Sequence, residues 1–115
     1  MHQCSLDVRS YDCDLYHHVN HAVYLNYLEF ARVQMLKAGG IDFFVLAEKG
    51  IQLVVTDIHI SYRGSALADD RLEIRTVPVE HGAAYGVLDQ TILRGEEVLT
   101  TARVKFVCID GAGGP

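Results

Sequence analysis

The segment from Tyr11 to Tyr24, Tyr-Asp-Cys-Asp-Leu-Tyr-His-His-Val-Asn-His-Ala-Val-Tyr, concentrates groups that move protons or hold charge. Two carboxylates (Asp12, Asp14), three imidazoles (His17, His18, His21) and one side-chain amide (Asn20) stand within it. A strongly apolar stretch with a helix-start signal follows at once. A helix start carries backbone N–H groups without intrahelical partners and the positive end of the macrodipole. Such groups can polarise a carbonyl or hold an oxyanion. A carboxylate a few residues upstream can then act on the carbon whose oxygen they hold. That pairing is the logic of acyl transfer.

The elements around this segment must position it. Residues 3–10 alternate Leu6 and Val8 against Asp7 and Arg9, the pattern of a half-buried strand. Residues 11–21 are polar, carry no period and read as a loop. The spacing predicts a helix from Ala22 to Ala38, with Asn20 as N-cap and Gly39-Gly40 as stop. Its polar positions are Asn26, Glu29, Arg32, Gln34 and Lys37; a helix this apolar is expected to be largely enclosed. A short amphipathic piece, Ile41 to Glu48, ends at Gly50. Strands are then expected over 51–62, 71–80, 84–93 and 98–109, with Arg94-Gly95-Glu96-Glu97 as a hairpin connection. Pro78 lacks an N–H and belongs at a bulge or an edge. One apolar helix and five strands describe an α+β fold in which an antiparallel sheet curls round the helix. The open sheet edges predict a homodimer or homotetramer.

Composition narrows the classes. With 115 residues the chain is one domain, read as residues 1–110 followed by a flexible Gly-rich tail over 111–115. Half the residues are apolar and 22% are charged, which describes a globular protein. No apolar run is long enough to span a membrane. A net charge of −5, from ten basic against fifteen acidic residues, argues against a general nucleic-acid binder. Cys4, Cys13 and Cys108 have no CxxC spacing, so reduced thiols in a cytoplasmic protein are expected and neither a disulfide framework nor a Cys4 zinc site is.

The loop and helix together resemble the active-site region of hotdog-fold thioesterases, in the 4-hydroxybenzoyl-CoA thioesterase class. Members of that class show an Asp-x-Asp pair, a tyrosine ten residues after the second Asp, and an x-Glu-x-Ala-Arg-like continuation. Here these are Asp12-Cys13-Asp14, Tyr24, and Leu28-Glu29-Phe30-Ala31-Arg32. Bacterial acyl-CoA thioesterases of the Tol-Pal-associated branch place a His seven residues after that Asp, matched by His21. Plant acyl-ACP thioesterases carry a His-Val-Asn run, matched by His18-Val19-Asn20. The likeness is densest over residues 8–32. Two positions depart: His17 stands where many members have glycine, and Tyr16 where the plant enzymes have Asn.

The resemblance implies a hotdog fold and an acyl-CoA hydrolase, with acyl-ACP as the alternative substrate and a non-catalytic acyl-binding module as the alternative of another class. It implies no cofactor. Asp14 would be the nucleophile or general base. The backbone N–H near His21 would polarise the thioester carbonyl, while the His21 ring, His18 and Asn20 would orient Asp14, substrate or water. Tyr24, Tyr16 and His17 are the expected substrate contacts, and Glu29 is a reserve carboxylate. Each has a plainer reading beside it. Asp14 can serve as a turn-forming Asp, Asn20 as a helix cap, Tyr24 and Tyr27 as packing, and Glu29 with Arg32 as an intrahelical ion pair. His17 and His21 would need helical geometry to share a metal, and His17 falls in the loop, so no metal site is assigned. Cys13 points away from Asp14 in an extended segment and is read as packing. Arg63, Arg75, Arg94, Arg103 and Lys105 read as mostly solvated strand or turn charges, some of which must meet phosphates if the substrate is CoA-linked; the sequence does not say which.

Overall fold

A computed structural model describes residues 1–110; the expected tail over 111–115 lies outside the described residues. Strand β1 (His2–Asp7) is followed by a 3-10 turn over Ser10–Asp12, helix α1 (His21–Ala38) and short helix α2 (Phe43–Glu48). Four strands complete the chain: β2 (Ile51–Tyr62), β3 (Arg71–His81), β4 (Tyr85–Arg94) and β5 (Glu97–Asp110). All pair antiparallel in one sheet of order β1-β3-β4-β5-β2. The α+β architecture, one long helix against a five-stranded sheet, is that expected from the sequence.

Register follows from which face is buried. Leu6 pairs with Leu72, and Cys4 with Ile74, so β1 lays its alternate residues on the helix side. Leu72, Ile74, Ile92, Leu99 and Val104 meet Tyr24, Tyr27, Leu28 and Ala31 of α1 in the core. Pro78 sits at the register shift between Pro78 and Glu80, beyond the residues that β1 pairs, where its missing N–H breaks no bond to that strand. Gly95, at φ +62°, makes the tight turn that joins Arg94 to Glu97.

Three expectations are corrected. First, β1 ends at Asp7, and residues Ser10–Asp12 beyond it fold into a 3-10 turn, with Asp12 Oδ2 accepting the Arg9 N–H at 3.2 Å. Second, the segment 11–21 is not irregular: Cys13 bridges Val19, and His18 bridges Leu67. Third, α1 is not enclosed by its own chain. Only Tyr24, Tyr27, Leu28 and Ala31 are buried, whereas Leu25 and Phe30 are 39% and 40% exposed. One sheet face covers one side of a cylinder, and the opposite side stays open.

Candidate active site

The polar loop closes on itself round Asp14. Its backbone N–H donates to the His18 carbonyl at 2.8 Å, and its own carbonyl accepts from His17 N–H at 3.0 Å. Its carboxylate Oδ1 accepts from the backbone N–H groups of Tyr16 (2.8 Å) and His18 (3.3 Å). The turn-forming role is therefore present, and it uses one oxygen only. Tightness of this turn forces His17 to φ +63°, a left-handed conformation in which a Cβ is strained.

Asp12 is held elsewhere. Tyr27 Oη donates to Asp12 Oδ2 at 2.7 Å, so the first acid of the Asp-x-Asp pair ties the loop to the core. Burial, then the bonded Asp12 carboxylate, push the Tyr27 phenol far above its ordinary range, and it stays protonated as the donor. Cys13 packs against the core as expected; burial and the surrounding carboxylates Asp12, Asp14, Asp69 and Asp70 push its thiol up. A thiol so placed is a poor nucleophile.

Helix α1 opens beside Asp14, and its first amides can be counted. Asn20 N–H donates to the Asp12 carbonyl at 3.1 Å, Ala22 N–H to Asn20 Oδ1 at 2.9 Å, and Val23 N–H to the Asn20 carbonyl at 2.9 Å. Asn20 thus caps the helix. Among the described residues no acceptor meets the remaining amide, that of His21. The His21 ring lies 4.6 Å from the Tyr62 ring, centroid to centroid, and Tyr62 Oη donates to the His21 carbonyl at 3.3 Å.

The third wall comes from the end of β2. Arg63 and Gly64 donate backbone N–H bonds to the Leu99 carbonyl at 2.8 and 3.1 Å. A Cβ on Gly64 would stand 2.9 Å from Leu99 Cδ2, so any larger residue there would have to displace the end of that side chain. Ala66 N–H donates to Tyr24 Oη at 2.9 Å, and the Ala66 carbonyl accepts from Val19 N–H at 2.9 Å. These bonds join the loop, α1 and the 63–66 segment round a cavity of about 480 Å³.

Asp14, His18, Asn20, His21 and Tyr24 line that cavity together. Tyr24 lines it while only 1% exposed, with its hydroxyl occupied by Ala66. Tyr16 and His17 do not line it: Tyr16 is 79% exposed, and the left-handed turn carries both away. Glu29 borders a different cavity, of about 410 Å³, between the second half of α1, α2 and the sheet. Nor does it pair with Arg32 as an ion pair. Arg32 Nη1 instead donates to Gln90 Oε1 at 3.1 Å, and burial lowers the Arg32 guanidinium pKa. Tyr62, Arg63, Gly64 and Ser65 complete the polar cavity; of these the sequence singles out only Arg63, as one of five basic side chains that could meet a CoA phosphate. For the other three the only sequence signal is the strand ending at Tyr62. Among the described residues no three His, Cys, Asp or Glu side chains converge as metal ligands.

A family model, the Thioesterase-like superfamily, matches residues 8–114. The chain belongs to this family. Long-chain acyl-CoA thioesterase FadM of Escherichia coli is 37% identical to it over 110 residues, covering 94% of this chain and 83% of that protein. Acyl-CoA thioesterase YbgC of Haemophilus influenzae is 33% identical, covering 92% and 80%. Among solved structures, a probable thioesterase from Bartonella henselae superposes with a TM-score of 0.94 at 30% identity, covering 99% of this chain and 95% of that one. These likenesses make the fold that of the hotdog thioesterases. As to compartment, no helix among the described residues is long and apolar enough to cross a membrane.

Proposed function

We propose that this Thioesterase-like protein hydrolyses acyl-CoA to the free acid and CoA, with Asp14 as the reacting carboxylate. The observation that carries the reading is that Asp14 and the opening of α1 line one cavity. A thioester carbonyl set on the His21 N–H would have its oxygen polarised by the one first-turn amide without an acceptor. Asp14 Oδ1 is engaged by the loop amides, which orients the carboxylate and leaves Oδ2 to attack the carbonyl carbon or to take a proton from water. As base, Asp14 takes a proton from the water that forms the new carbon–oxygen bond and returns it to the departing thiolate. As nucleophile, it expels the thiolate and forms a mixed anhydride that water then hydrolyses, one water proton going to the thiolate. Either route breaks the carbon–sulfur bond. Asn20 supports the site by occupying the Ala22 N–H and so singling out that of His21. The His21 ring, packed on Tyr62, and His18 flank the reacting carbon or its water.

The names of FadM and YbgC support a CoA carrier, and that of FadM a long aliphatic acyl group. The His18-Val19-Asn20 run favours a second reading, an acyl-ACP substrate. A plant relative, acyl-acyl carrier protein thioesterase ATL3 of Arabidopsis thaliana, is 28% identical over 99% of this chain and 61% of its own length. The test is a panel of acyl-CoAs of increasing chain length and matched acyl-ACPs, followed by free-thiol release. We expect turnover on acyl-CoA. Tight binding across the panel with no thiol released would mark a non-catalytic acyl-binding module instead.

A further inference from the structure

Ten basic side chains are available to a chain of net charge −5, and a CoA-linked substrate is a polyanion that this overall charge repels. Most of the ten are committed. Arg71 pairs with Asp7, Arg75 with Glu73, Arg94 with Asp70 and Glu97, and Arg103 with Asp89 in a two-bond fork. Arg32 bonds Gln90, Arg9 bonds Tyr11, and Lys105 lies 5.3 Å from the centre of the Tyr85 ring. Among the described residues Lys37, Lys49 and Arg63 have no such partner. Lys37 lies at the last turn of α1 and Lys49 just past α2, away from the polar cavity.

Arg63 is different in position. It is exposed, it lines the cavity that holds Asp14, and among the described residues it is the one Arg or Lys that does so. Its backbone is pinned to Leu99, directly after the β2 residue whose ring packs on His21. An arginine with a fixed root and an unengaged guanidinium suits a phosphate, whose oxygens it can take two at a time.

Resting on the thioesterase reading, we propose that Arg63 binds a phosphate of the substrate's carrier and draws the pantetheine arm across the cavity towards Asp14. The chemical class is a phosphorylated pantetheine. CoA carries one phosphate at the end of the arm and others on its nucleotide; a carrier protein presents only the first. Arg63 holds the carrier and takes no part in the bond change.

Three thioesters of one acyl group test this: acyl-CoA, acyl-phosphopantetheine and acyl-pantetheine, assayed with wild type, Arg63→Ala and Arg63→Lys. Loss of a charge-assisted bond predicts that Arg63→Ala lowers kcat/KM on acyl-CoA relative to acyl-pantetheine by roughly 10- to 100-fold, through KM. Arg63→Lys restores part of that ratio. If acyl-phosphopantetheine follows acyl-CoA, the phosphate is the one next to the arm; if it follows acyl-pantetheine, the phosphate belongs to the nucleotide. Equal losses on all three substrates, or none, would overturn the proposal. Calorimetric titration of free CoA and free pantetheine into wild type and Arg63→Ala gives a readout independent of turnover. A protein that hydrolyses none of the thioesters, yet binds CoA more tightly than pantetheine only when Arg63 is present, refutes the hydrolase and keeps the phosphate site. Equal affinity of wild type for the two ligands refutes the site alone.

Discussion

On the proposed reading Asp14 has two jobs that replacement can separate, one for each carboxylate oxygen. Oδ1 accepts the Tyr16 and His18 N–H groups, and Oδ2 is the atom assigned to chemistry. Asp14→Asn keeps an acceptor oxygen for the loop and replaces the reactive oxygen by an NH2 group. It should therefore leave the melting temperature within about 1 °C while removing a positioned acid–base or nucleophilic group, typically worth 10²- to 10⁴-fold. A hundredfold loss of kcat/KM corresponds to about 2.7 kcal/mol of transition-state stabilisation. Asp14→Ala removes both oxygens. At about 1 kcal/mol for a typical hydrogen bond, less what water restores at an exposed loop, it should lose a further 1–2 kcal/mol of stability, roughly 4–8 °C in Tm for a domain of this size. The assay is thiol release on the best acyl-CoA, run beside thermal unfolding of both variants. If Asp14→Asn retains wild-type kcat/KM within tenfold, Asp14 is not the reacting group. If Asp14→Asn melts as low as Asp14→Ala, the division of labour between the oxygens is wrong.

Other outcomes follow from the same contacts. Asn20→Ala deprives the Ala22 N–H of its cap and should lower stability by about 1 kcal/mol, read by denaturant unfolding, with Asn20→Asp recovering most of it. Stability should fall in acid: burial tends to raise the Asp70 carboxyl, but the Leu67 N–H bond and Arg94 outweigh it and hold its pKa below the usual range. A depressed folded-state pKa contributes stability above the unfolded value of about 3.9 that is lost as pH drops through the folded one, so Tm at pH 3 should fall more in wild type than in Asp70→Asn. Asp89, lowered by Arg103, acts in the same direction. The exposed apolar side chains Leu25, Phe30, Val55 and Ile58, on α1 and edge strand β2, should be covered by a second copy of the chain, so light scattering should give at least a dimer. A monodisperse monomer at micromolar concentration would refute that expectation.

Local order in the chain made much of this protein legible. Five strands, one long helix, the cap at Asn20, the stop at Gly39-Gly40 and the bulge at Pro78 each follow from a few neighbouring residues, because period, capping and a missing N–H act over one or two turns of chain. The cluster of Asp14, His18, Asn20 and His21 was legible for the same reason: all four lie within eight consecutive positions at a helix start. Tertiary structure decided the rest. Tyr62 and Arg63 reach the cavity from some forty residues away, carried by a strand whose place in the sheet depends on pairing with β5. Glu29 and Arg32 satisfy the spacing of an ion pair, yet Arg32 turns to Gln90, 58 positions on, because the buried Gln90 amide offers an oxygen where the guanidinium is shielded from water. Tyr16 and His17 stand among the reactive residues in sequence but leave the cavity, since a turn closed by Asp14 rotates them outward. Spacing states which groups are near along the chain; the sign of a backbone angle and the partner across the sheet decide where they point.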